Sequence, residues 1–152
     1  PRPGRRPPHR TRRMPTAHLT RRVRFSAAHR YFRPEWTPER NREVFGPCAN
    51  PHGHGHNYLL EVTVSGEVDP ETGFSVDLGT LDGVLREEVL DRLDHQHLNH
   101  VVPEFAEGGR IPTTENILVL LWDRIAPRLG GARLRRLRLH EEESFFVDYF
   151  GE

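Results

Sequence analysis

His54-Gly55-His56-Asn57-Tyr58-Leu59-Leu60-Glu61-Val62-Thr63-Val64-Ser65-Gly66 is the stretch on which the fold turns. Its second half is aliphatic and β-branched, closed by a glycine, and reads as a strand over 56–66. Extended backwards, His54, His56, Tyr58, Leu60, Val62 and Val64 share one parity and therefore one face. Two imidazoles two residues apart on a strand stand about 6.6 Å apart on the same side. That spacing lets both turn toward one metal ion. Gly53 and Gly55 read as leaving room there for a metal or a substrate. The alternative is a polar turn that feeds a strand and carries histidines without a role.

Upstream lies Cys48-Ala49-Asn50-Pro51-His52, with the chain's one cysteine close to three of its ten histidines. A thiol beside imidazoles and a cation has a lowered pKa and serves as a base or nucleophile. It is otherwise an inert buried thiol. His52 precedes His54 by two, so His52/His54 competes with His54/His56 as the ligand pair. The later pair runs straight into the strand.

A third imidazole comes from the strand before. Leu19, Val23, Phe25 and Ala27 alternate with polar residues from Leu19 to His29, and His29 continues the apolar parity. A lone histidine there is commonly a core residue. Three histidines would give a zinc site with a fourth position open.

The remaining chain supplies the scaffold. Residues 30–47 hold Pro34, Pro38, Gly46 and Pro47 and read as loop. Asp69-Pro70-Glu71-Thr72-Gly73 signals a turn. Asp77 is a helix N-cap, and Leu78, Leu81, Val84, Leu85, Val89 and Leu93 form one apolar face behind it. Thr113 caps a second helix, from Thr114 to about Ile125. Leu137 and Leu139 alternate with arginines in a third strand, and Phe145 to Phe150 closes the chain as a fourth. The order β-β-α-α-β-β predicts an α+β fold: a four-stranded antiparallel sheet with two helices on one face.

Two further carboxylates stand out. Asp94-His95 at the end of the first helix is an acid that could orient a proton-moving imidazole, or a solvated helix end. Glu141 has the parity of Leu137 and Leu139. A carboxylate pointing that way needs a partner with N–H donors, or it reaches solvent beside Glu142 and Glu143.

The 152 residues suit one domain, taken as 17–152, behind an Arg/Pro-rich segment over 1–16 that reads as a disordered arm or upstream sequence. A formal net charge of zero excludes electrostatic nucleic-acid binding by the protein as a whole. The chain has no apolar run long enough for a membrane span. A single cysteine excludes an intrachain disulfide framework and fits a reducing, cytoplasmic setting.

Taken in order, Phe25-Ser26-Ala27-Ala28-His29, Phe45-Gly46-Pro47-Cys48, Gly53-His54-Gly55-His56-Asn57-Tyr58, Leu93-Asp94-His95, Thr113-Thr114-Glu115-Asn116 and Glu141 resemble the 6-pyruvoyl- and 6-carboxytetrahydropterin synthase family. The resemblance covers about Leu19 to Glu152. It implies a tunnelling fold in which three sheets join into a barrel and two trimers stack as a homohexamer. It implies Zn2+ on His29, His54 and His56, and a proton-transfer set of Cys48, Asp94 and His95. A pterin would be anchored by Glu141 with help from Thr113, Thr114 and Glu115. The implied reaction is that of a lyase acting on 7,8-dihydroneopterin triphosphate with loss of triphosphate. Cys48 precedes His54 by six, the pyruvoyl-forming spacing, and His52 by four, the carboxy-forming one that leads toward queuosine, so the product stays open. A non-catalytic zinc-binding oligomer of the same fold is the alternative.

Overall fold

The computed structural model describes residues 13–152. The Arg/Pro-rich arm over 1–12 lies outside the described residues. Strand β2, His54–Glu67, is the spine of the sheet. Tyr58, Leu60, Val62 and Val64 are buried along its inner face, as their parity requires. Strand β1, Thr16–His29, runs antiparallel beside it over its whole length. It starts three residues before Leu19, so Thr16 belongs to the sheet and not to the arm. That start is tied down by Val68, whose N–H donates to the Pro15 carbonyl at 2.8 Å.

On the other side of β2 lies β4, Arg133–Glu142, followed by β5, Phe145–Tyr149. Outside β1, at the edge of the sheet, sits an addition to the expected four strands. Gln96–His97, β3, pairs in parallel with Ala27 and Ala28 and gives the order β3-β1-β2-β4-β5. Two residues are too few to show an alternation, so no pattern in the chain announces this strand.

The helices follow their caps. Asp77 accepts from the Gly79 and Thr80 amides and opens α2, Leu78–Leu85. The helix widens into a π turn over Arg86–Leu90 and tightens again as α3, Asp91–Leu93. Thr113 accepts from the Asn116 amide and opens α5, Thr114–Ile125. Leu81, Val84, Leu85, Val89 and Leu93 meet Ile117, Leu118, Leu121 and the inner sheet face in one core. The α+β fold expected from the pattern is therefore present, with one short strand more.

The stretch 30–47 corrects the sequence reading. It contains α1, Pro38–Phe45, capped by Thr37, whose hydroxyl accepts from the Arg40 amide at 3.1 Å. Only Asn41 of α1 is buried, so the helix has no apolar stripe to betray it. Thr37-Pro38-Glu39 was nonetheless a legible start signal. Asn41 accepts from the Arg33 amide at 2.7 Å and donates to the Arg33 carbonyl at 2.9 Å, which pins the loop between β1 and α1. The short helix α4, Leu98–Val101, does the same from the other side. Its Asn99 accepts from the Arg30 amide at 2.8 Å and donates to the Arg30 carbonyl at 3.0 Å.

Candidate active site

The β1–β2 register decides the geometry: His29 pairs with His54, and Ala27 with His56. The three rings therefore crowd together, with centroids 4.8 Å apart for His29–His54 and His54–His56 and 5.1 Å for His29–His56. One nitrogen from each lies within 4.8 Å of the other two, the arrangement of a group that could hold a metal ion. His52 is exposed and stands outside this group.

His29 is fully buried, and its orientation is set from behind. Its Nδ1 lies 3.1 Å from the Pro112 carbonyl and 3.1 Å from the Tyr58 hydroxyl. With a proton on Nδ1 donated to that carbonyl, the Nε2 lone pair faces the His54 Nε2, 3.2 Å away. Tetrahedral coordination with Zn–N bonds of 2.0–2.1 Å sets ligand nitrogens about 3.3 Å apart, so this pair fits such an ion. His54 Nδ1 and His56 Nε2 are buried without a hydrogen-bond partner among the described residues. Burial and the adjacent imidazoles push His29 down to about 3, against the opposing pull of the Pro112 carbonyl. Burial also lowers His56, although Glu141 pulls the other way. Both shifts favour the neutral imidazole that metal ligation requires.

This has a measurable consequence. An unfolded histidine titrates near 6.5, so protons favour the unfolded chain between that value and about 3. The stabilisation from neutral His29 is complete above pH 6.5 and declines as the pH falls toward 3. Chelator-stripped protein should lose urea resistance steadily over that window. His29→Gln should flatten the slope. Equal slopes in the two proteins would contradict the assignment.

Cys48 sits in a 3-10 turn, Gly46–Ala49, entered through Gly46 at φ +56°. The Tyr31 amide donates to the Cys48 carbonyl at 2.8 Å and ties this turn to the end of β1. The thiol Sγ lies 3.9 Å from His54 Nε2. Burial, with the negative charge of Glu141, pushes the thiol up and not down. The sequence reading expected the opposite. The reason is that burial and a carboxylate outweigh anything the neighbouring imidazoles supply.

Glu141 arrives through a β-bulge: His140 pairs with Phe146 and Glu142 with Phe145, leaving Glu141 as the extra residue. Its Oε2 accepts from the Thr114 hydroxyl at 2.5 Å, and its Oε1 lies 3.4 Å from His56 Nε2. Thr114 is itself buried in the first turn of α5. Thr113 spends its hydroxyl on the helix cap. Glu115 opens the same turn, close enough to act on the Tyr31 hydroxyl.

Asp94 and His95 are anchored on β1 at Ser26. Asp94 accepts from the Ser26 amide at 2.8 Å and lies 3.0 Å from His95 Nδ1, contacts that hold the carboxyl below its usual range. His95 has φ +58°, unusual for a residue with a Cβ, and its side chain is 81% exposed. None of these contacts reaches Cys48 of the same chain.

Two groups at the site escaped the sequence reading. The Pro112 carbonyl that orients His29 is backbone and has no signature. Tyr31 packs its ring against His29 at 4.7 Å, and the Phe25–Ala27–His29 parity carried one step further would have found it. The role given to the glycines also changes. A Cβ on Gly53 would lie 2.6 Å from the His29 carbonyl oxygen, and one on Gly55 3.1 Å from that of Ala27. They let the two strands approach; they do not open space for a ligand.

The sequence profile described as 6-pyruvoyl tetrahydropterin synthase matches residues 18–152. The human protein named 6-pyruvoyl tetrahydrobiopterin synthase is 40% identical over 136 residues, covering 90% of this chain and 92% of its own. The one from Poecilia reticulata is 42% identical over 135 residues, covering 89% and 90%. The structure of Caenorhabditis elegans 6-pyruvoyl tetrahydropterin synthase superimposes with a TM-score of 0.82 at 32% identity, over 91% of this chain and 98% of that one. With its histidine trio, thiol and carboxylate on a matching fold, this chain belongs to the 6-pyruvoyl tetrahydropterin synthase family.

Proposed function

We propose that the protein is a zinc-dependent lyase that converts 7,8-dihydroneopterin triphosphate to 6-pyruvoyl-tetrahydropterin with loss of triphosphate. The observation that carries this is the convergence of His29, His54 and His56 beside Cys48 and Glu141. His29, His54 and His56 would hold the zinc, which when bound supplies a Lewis-acid charge for the substrate's side-chain oxygens. Among the products of the two branches, the pyruvoyl one is favoured by the Cys48–His54 approach and by the exposed position of His52. The names of the relatives agree with it.

The chain's own groups divide the remaining work. A dihydropterin becomes a tetrahydropterin, so hydrogen leaves the side chain and enters the ring. That demands a base over the side chain, and Cys48 is the group placed for it. Glu141, steadied by Thr114, takes the N–H edge of the pterin ring. Asp94 holds His95 through Nδ1, leaving the rest of the exposed imidazole free to exchange protons. Free inorganic triphosphate should appear when zinc-loaded protein meets this substrate, and should not when the metal has been stripped.

His95 is too exposed, and too little connected to Cys48, to serve the thiol of its own chain. An assembly, a hexamer by family resemblance, would let it serve a neighbouring copy. Such an assembly would also cover the free sheet edges. Coexpressed Cys48→Ala and His95→Ala chains should then recover part of the activity that each lacks alone. No recovery in mixed oligomers would contradict this division. Among the described residues no helix is long and apolar enough to cross a membrane.

For Glu141 the expected loss is in binding. Glu141→Gln sets a donor against the N–H edge and should weaken a non-reactive pterin by at least ~1.5 kcal/mol, roughly tenfold. Glu142→Gln and Glu143→Gln, at the exposed hairpin tip, should bind as the native protein does. Equal affinities in all three would remove Glu141 from the site.

A further inference from the structure

Tyr31 is held at the site more firmly than its position outside any helix or strand suggests. Asn99 clamps the amide and carbonyl of Arg30 before it, and Asn41 clamps those of Arg33 after it. Its own amide is fixed to the Cys48 carbonyl. The ring is wedged between His29, at 4.7 Å, and Phe45, at 5.9 Å in an edge-on arrangement. Backbone and ring are therefore both immobilised, and the hydroxyl is delivered to one place. The His29 ring that Tyr31 packs against lies 5.1 Å from the His56 ring, and His56 Nε2 lies 3.4 Å from the Glu141 carboxylate. Tyr58, the other tyrosine here, places its hydroxyl against His29 Nδ1. The Tyr31 hydroxyl makes no such bond to any described residue.

The site is otherwise rich in acceptors. Glu141 offers carboxylate oxygens, the histidines offer lone pairs, and the Thr114 hydroxyl proton is already given to Glu141. A phenol is a proton donor at neutral pH. A donor fixed in the same cluster as a carboxylate calls for a ligand edge that carries an acceptor next to its N–H donors. The lactam edge of a 4-oxopteridine has that order: ring N–H and amino hydrogens, then a carbonyl oxygen.

We propose that the Tyr31 hydroxyl donates a hydrogen bond to the ring carbonyl of the bound pterin, and that it thereby selects 4-oxo over 4-amino pteridines. This rests on the pterin reading of the site. Tyr31 is then a specificity-determining residue. The ring holds the wall of the pocket, and the hydroxyl reads one oxygen of the substrate.

Titration of zinc-loaded native protein and Tyr31→Phe with a non-reactive 4-oxopterin and with the matching 2,4-diaminopteridine tests this. Phenylalanine keeps the ring against His29 and Phe45, so zinc content and thermal midpoint should stay native in the variant. Its affinity for the oxo ligand should fall about fivefold, the loss of one neutral hydrogen bond, with the diamino ligand unaffected. An unchanged oxo affinity in Tyr31→Phe, or an equal fall for both ligands, would overturn the proposal while leaving the pterin reading in place. Failure of the native protein to bind either pteridine would overturn both. Loss of zinc or stability in Tyr31→Phe would show a structural role for the hydroxyl and would also overturn it.

Discussion

Cys48→Ala should keep its fold and its zinc while kcat falls by about 10²- to 10⁴-fold, the usual weight of one proton-transfer group. The turn that carries Cys48 is held by backbone contacts: the Tyr31 amide on the Cys48 carbonyl, and the Asn50 amide on the Pro47 carbonyl at 3.1 Å. The sulfur contributes none of them. It approaches only His54, at 3.9 Å, too far to be a ligand-like contact. Removing it should therefore leave circular dichroism and metal content native. The thiol is raised by burial and by Glu141. A metal held by His29, His54 and His56 would supply the positive charge that favours a thiolate. The pH–rate profile should accordingly have a rising limb that belongs to Cys48 with its coupled partners, as one macroscopic value. A near-native rate in Cys48→Ala would remove the base assignment. Zinc loss in that variant would make the sulfur a ligand instead.

His54→Ala and His56→Ala should each abolish stoichiometric zinc, whereas His52→Ala should retain one zinc per chain. The three positions lie two residues apart and differ only in what the β1 register does with them. His54 faces His29 across the ladder, and His56 faces Ala27 on the same side. His52 precedes the strand and remains exposed. A catalytic zinc commonly has three protein ligands, and two imidazoles are too few to hold it. Turnover should fall with the metal. Metal analysis of dialysed protein reads this directly, and full zinc in the His54 variant would mean that a different pair holds it.

The parts of the fold that could be read in the chain are those that repeat. Leu60, Val62 and Val64 alternate over enough residues to fix β2, and its parity carries back to His54 and His56. Asp77 and Thr113 each precede an apolar helical stripe, so the caps and the stripes agree. What repeats too little stayed hidden. The polar helix α1 buries only Asn41, and β3 has two residues. The site was legible in its ligand types but not in its electrostatics. That Cys48 is raised, not lowered, follows from burial and from Glu141, a residue more than ninety positions away that a β-bulge brings near. That Asp94 and His95 are anchored on Ser26 follows from a bond to a residue 68 positions earlier. Neither fact is local, so neither shows in a local pattern.

The most direct measurement is the mass of the pterin formed when zinc-loaded protein is incubated with 7,8-dihydroneopterin triphosphate under anaerobic conditions. The expected result is the mass of 6-pyruvoyl-tetrahydropterin, with one triphosphate released per pterin converted. Unchanged substrate in the presence of one zinc per chain would contradict the proposed chemistry, and would leave the protein as a metal-binding member of its family.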